Sequence, residues 1–114
     1  MTSLYGQYVA ERMGDFIIED EDGFATYRYL LGADAPAVYI VDIYVEPKAR
    51  KKHKATELAN RIVNEARNKG AQVVLGTVFV NAKNVTDSIK VLLSYGMTFK
   101  NVQGDMLIFE KDIL

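Results

Sequence analysis

The chain has 114 residues, 49% of them apolar and 25% charged, which suits one packed domain over residues 1–114 rather than two of the usual size of about 100–150 residues each. With no cysteine and one histidine, it lacks the means for disulfides, thiolate chemistry, iron–sulfur clusters or a zinc site of several imidazoles. The formal net charge of −1 conceals an asymmetry: residues 1–46 hold nine acids against two basic side chains, Arg12 and Arg28, whereas residues 47–114 hold twelve basic side chains against six acids.

Residues 4–13 space apolar side chains for a short helix ending before Gly14. Residues 16–18 read as a strand, 20–23 (Asp-Glu-Asp-Gly) as a turn, and 24–30, rich in aromatic and β-branched types, as the hairpin partner. A second turn is expected over 32–36. Residues 38–45 carry the strongest strand signal, apolar almost throughout, as in a central strand covered on both faces. A helix over 55–69 follows, with Ala55, Leu58, Ala59, Ile62, Val63 and Ala66 on one stripe and Gly70 at its cap. A buried strand at 73–80, a loop at 81–84 and a helix at 87–95 with Ile89, Leu92 and Leu93 inward come next. Strands at 97–102 and 106–110 form a final hairpin. The order α-β-β-β-α-β-α-β-β predicts an α+β fold (a mixed α/β sheet) with a central βαβ crossover. No apolar run approaches the ~20 residues of a membrane span. The opening residues lack the form of a secretion signal, so a cytoplasmic protein is expected.

The stretch from Ile43 to Ala55 runs strand, loop, helix. A helix N-terminus exposes unpaired N–H groups and the positive end of the helix dipole. Lys48, Arg50, Lys51, Lys52 and Lys54, with His53 among them, crowd that point. Cations at a helix N-terminus oppose the dipole, and a bound polyphosphate reverses that penalty. The alternative is a solvated basic loop.

This run, with Val45-Glu46-Pro47 closing the strand and Arg50-Lys51-Lys52-His53-Lys54-Ala55 entering the helix, resembles the acetyl-CoA-binding segment of the GNAT N-acetyltransferases, whose strand ends in V-x-P and leads to [Q/R]-x-x-G-x-[G/A]. Residues 88–97 resemble that family's second signature, and the likeness covers about 38–100. It implies a GNAT-like fold, acetyl-CoA as co-substrate and no metal. The backbone of Ile43, Tyr44 and Val45 is expected to pair with the pantetheine arm, an N–H near Val45 to polarise the thioester, and N–H groups of about 50–55 to hold the pyrophosphate. In that reading Arg50 and Ala55 fill the first and last motif positions, and Lys51, Lys52 and Lys54 are outer charge. Asn81 or Asn84 is expected near the arm. Two positions depart from the pattern: His53 replaces the motif glycine, and Leu92 stands where the family places a tyrosine acid, with Tyr95 three residues on.

Asp42, an acid within an apolar strand, is the candidate base, with burial expected to raise its pKa. A hydrogen-bonded structural aspartate is the competing role. Glu46 reads as a solvated strand end, and Tyr27, Tyr29, Tyr39 and Tyr44 line either an acceptor groove or the core. Three functions compete. The first is direct acetyl transfer from acetyl-CoA to an unidentified amine or protein acceptor. The second is a degenerate GNAT fold acting as a protein-binding module. The third, nucleic-acid binding through 48–54, is disfavoured by a pI of about 5.8 and the acidic half. A homodimer is left open.

Overall fold

In the computed structural model, which describes residues 3–30 and 35–114, the elements follow the expected order. They are α1 (Leu4–Met13), β1 (Phe16–Glu19), β2 (Gly23–Leu30), β3 (Ala37–Val45), α2 (Lys54–Asn68), β4 (Val73–Phe79), α3 (Val85–Ser94), β5 (Thr98–Gln103) and β6 (Met106–Asp112). The turn expected over 32–36 falls mainly outside the described residues. The strands form one mixed sheet in the order β1-β2-β3-β4-β6-β5. Only β3 and β4 pair in parallel among the described residues, as the βαβ reading requires.

Local chemistry sets the elements that matter for function. The β1–β2 turn is closed by Asp20, whose carboxylate accepts the N–H of Asp22 at 2.8 Å and of Gly23 at 3.0 Å. A Cβ on Gly23 would stand 2.3 Å from the Tyr44 carbonyl oxygen, so only glycine lets β3 pass this turn. Helix α2 buries Leu58, Ala59, Ile62, Val63 and Ala66, the predicted stripe, against the sheet. Leu58 and Ile62 are fully covered, and such burial stabilises by about 1.5–3 kcal/mol per side chain. Ala55, the first residue of that stripe, is only half-buried and opens onto a cleft instead.

Strand β3 departs from expectation. It pairs with β4 only through Ala37, Val38 and Tyr39, opposite Val73, Val74 and Leu75, and beyond that the two strands part. The strand is covered on both faces only at Ala37 and Val38; further along, Val45 is buried on one face while Asp42 and Tyr44 on the other are exposed. On its other edge β3 follows β2 with one irregularity: Thr26 pairs with Asp42 and Tyr27 with Ile40, leaving Val41 as a bulged residue. The bulge keeps Ile40 and Ile43, three positions apart, against the core beneath α2. Tyr39, Asp42 and Tyr44 consequently occupy the opposite face.

Helix α3 starts two residues earlier than predicted and buries no residue completely. Val85, Ile89 and Leu92 pack on the core as one stripe, and Leu92 and Met97 cover Gly76, where a side chain would meet both at 3.3 Å. Leu93, expected inward, is 52% exposed because it lies one position past that stripe.

Candidate active site

The parting of β3 and β4 opens a cleft of about 520 Å³, floored by the strands and walled by α2 and α3. Backbone alternation decides what faces it. The Glu46 N–H donates to the Asp22 carbonyl at 2.8 Å on the β2 side, the bonding that flanks a Val45–Gly23 pair with no bonds between its own members. Val45 and, two residues back, Ile43 therefore turn their N–H and C=O groups away from β2, into the space β4 has left. Arg50 takes one of these groups: its Nε–H donates to the Val45 carbonyl at 2.8 Å, and its guanidinium carbon sits 5.5 Å from the centre of the Tyr44 ring.

Between β3 and α2 the chain makes a short 3₁₀ turn, Pro47–Ala49, and enters the helix through two left-handed residues, Lys51 at φ 64° and His53 at φ 61°. Each costs about 1–2 kcal/mol for a side-chain-bearing residue. His53 is the helix N-cap, and its side chain makes no capping bond, so the first N–H groups of α2 have no side-chain partner. Lys51, Lys52 and His53 are exposed around this opening.

Lys54 does not join them. Its ammonium pairs with Glu57 at 3.0 Å, Asp20 at 3.1 Å and Asp22 at 3.5 Å, and the hydrogen-bonded Glu57 and Asp20, Glu57 foremost, push its pKa up. Slight burial acts to raise the Asp20 pKa, but the N–H groups of Asp22 and Gly23 together with Lys54 outweigh it and hold the carboxyl below its ordinary value. Lys54 thus ties the acidic turn to the start of α2 instead of supplying outer charge.

The cleft gathers most of the other predicted residues. Asp42, Ile43, Tyr44, Val45, Arg50, Ala55 and Asn84 all line it. Asn84 enters α3 at φ 60° without a side-chain cap, whereas Asn81 lies outside the lining. Asp42 is exposed, on the face of β3 opposite α2, and so lacks the burial expected of it. Leu92 lines the wall at the family's tyrosine position. Tyr95 also reaches the wall, but its hydroxyl donates to Asn60 Oδ1 at 2.7 Å, strapping α3 to α2, and burial raises its pKa. Of the four strand tyrosines, Tyr27 belongs to the core and bonds Glu65 at 2.9 Å, and Tyr29 packs beside it. Tyr39 and Tyr44 lie on the other face.

One pair escaped the sequence reading. The hydroxyls of Tyr39 and Thr77 meet at 2.8 Å across the point where the strands diverge, and Thr77 lines the cleft. A threonine in a predicted strand gives no signal of this, because the contact depends on where two strands part.

The model of the acetyltransferase (GNAT) family matches residues 4–92. The chain belongs to the GNAT acetyltransferase family. Solved structures agree on the fold. A GNAT-family protein from Desulfovibrio desulfuricans superposes with a TM-score of 0.79 at 14% identity, covering 95% of this chain and 78% of that one. The PaiA N-acetyltransferase of Thermoplasma acidophilum, solved with coenzyme A, gives 0.71 at 16% identity over 96% of this chain and 68% of its own. An aminoglycoside 6′-N-acetyltransferase complexed with coenzyme A gives 0.69 at 15% identity, over 95% and 79%. Other GNAT structures are longer still, and the chain spans 57% of one from Listeria monocytogenes. No curated protein matches the chain. Among the described residues no group of three His, Asp or Glu side chains is placed to hold a metal ion, and no helix is long and apolar enough to cross a membrane.

Proposed function

We propose that this GNAT chain transfers acetyl directly from acetyl-CoA to an amine acceptor. The observation that carries the reading is the cleft itself: a strand edge stripped of its partner, with outward N–H groups, running to a helix N-terminus ringed by cations. The Ile43 and Val45 groups offer strand-like bonds to a pantetheine arm. The first N–H groups of α2, with Lys51 and Lys52, suit the phosphates. Asp42, on the face opposite α2, receives a proton from the ammonium acceptor, directly or through water. The freed amine forms the C–N bond at the thioester carbonyl, its oxygen held by the Val45 N–H. As the C–S bond breaks, the CoA thiolate leaves and takes the proton that the new amide nitrogen gives up.

A second reading, a GNAT fold that binds a protein partner without turnover, draws on what stands at and near the family's tyrosine position. Leu92 fills the tyrosine position and the Tyr95 hydroxyl is bonded to Asn60. The two separate in one experiment. Saturating acetyl-CoA should raise the melting temperature, and a panel of primary amines should release CoA thiol. Asp42→Asn should keep the thermal shift and lose about 10²–10⁴-fold in turnover, the usual worth of a general base. An unmoved melting temperature removes the transferase reading; a shift with no thiol release for any amine favours the binding module.

A further inference from the structure

We infer that Arg50 is a positioning residue for the thioester site and not a phosphate ligand; this rests on the transferase reading above. Its guanidinium is held at two points, by the bond from Nε to the Val45 carbonyl at 2.8 Å and by the Tyr44 ring at 5.5 Å. Both contacts belong to the last two residues of β3, where β4 no longer braces the strand. A carbonyl at an unbraced edge must find a donor in water or in the protein. Arg50 supplies one from within the loop and so fixes the peptide that follows Val45. With that plane fixed and Tyr44 clamped beneath the guanidinium, the backbone angles at Val45 are set, and its N–H stays aimed into the cleft. Lys51 and Lys52 are exposed like Arg50 and, like it, enter no ion pair among the described residues, but neither is held by a side-chain hydrogen bond or a ring there, which leaves the phosphates to them and to the N–H groups of α2. The fork of an arginine makes it a better clamp than a point charge, since the planar group donates and stacks at once.

Two thioesters separate the roles, because a phosphate ligand matters only when phosphates are present. Acetyl-CoA and S-acetylpantetheine, both carrying a ¹³C carbonyl, share the thioester and the arm, but only the first has the nucleotide. Their affinities are read by calorimetry, and the carbonyl stretching frequency of each bound thioester by infrared difference spectroscopy, with no acceptor required. Arg50→Met keeps the stem and removes the donor. It is expected to weaken both ligands by the same factor, about five- to tenfold, as for loss of one hydrogen bond. The bound carbonyl frequency should return toward that of free thioester. Arg50→Gln, uncharged but still an N–H donor, should restore most of both. Loss confined to acetyl-CoA, with Arg50→Gln as impaired as Arg50→Met, overturns the inference, as does an unchanged frequency in Arg50→Met. If Arg50→Met fails to fold, Arg50→Gln decides alone: near-native binding of both ligands upholds the clamp, and selective loss of acetyl-CoA overturns it. A wild-type protein that binds neither thioester overturns the transferase reading and this inference together, whereas binding that ignores Arg50 overturns only the latter.

Discussion

The two ends of β3 obey different rules although they are one strand. At its start, Ala37, Val38 and Tyr39 have partners on both edges, and Ala37 and Val38 are buried. From Ile40 onward only β2 remains beside it, and the residues assigned to chemistry, from Asp42 to Val45, lie there. Composition does little to separate the two ends, since both carry Val and Tyr. What separates them is a neighbour that leaves. A strand edge that would be satisfied in an ordinary sheet becomes a row of donors and acceptors for an extended ligand.

The sharpest way to break this contrast is to attack the closed end. Val38→Asp places an unpaired carboxylate where exposure is 0%, and it should abolish cooperative folding, a loss above about 4 kcal/mol. Circular dichroism with urea titration reads this. An aspartate is already carried at position 42 of the open end, so the pair shows that position along the strand, and not strand membership, sets the cost.

A smaller effect is expected where the open end turns into α2. His53→Gly relieves the left-handed strain and should raise stability by about 0.5–1 kcal/mol, while His53→Ala, which keeps a Cβ at φ 61°, should not. Urea midpoints at constant slope decide it, and equal behaviour of the two variants would mean that the backbone angle is not the cause.

The smallest effect concerns the acidic turn that holds the open end from beneath. The Asp20 carboxyl titrates below its ordinary value of 3.8, so its contribution is complete only from about a pH unit above that value and disappears as pH falls through the folded value. The melting temperature of the wild type should therefore drop more steeply below pH 4 than that of Asp20→Asn, and the two curves should converge in acid. Parallel curves would show that the turn adds no pH-dependent stability.

The sequence foretold the elements well because their signals are local. The stripe from Leu58 to Ala66, the Asp20 turn and the β-branched strands each follow from side chains close in the chain. The family signature around Arg50 likewise falls on the strand and loop whose Tyr44, Val45 and Arg50 line the cleft. Three site properties were hidden, each for a non-local reason. Asp42 is exposed on the face opposite α2 because β3 carries a bulge at Val41 against β2, which no residue near Asp42 announces. Lys54 is neutralised by Asp20 and Asp22, more than thirty residues earlier. Thr77 lines the cleft and meets the Tyr39 hydroxyl, a contact set by where two strands part. The opposition of an acidic first half and a basic second half was legible, but its meaning was not: at Lys54 the halves are stitched together, and the uncompensated charge is left to Lys51 and Lys52.

The bulge at Val41 has the force of a single inserted letter in a message read two at a time. Every residue after it speaks to the opposite side from the one its distance from Val38 would dictate. Pair that letter with β2 like its neighbours, and Ile43 and Val45 would turn to water while Asp42 and Tyr44 turned inward beneath α2. The chemistry proposed for this face therefore hangs on one residue that need contribute no functional group of its own, only a place in the count.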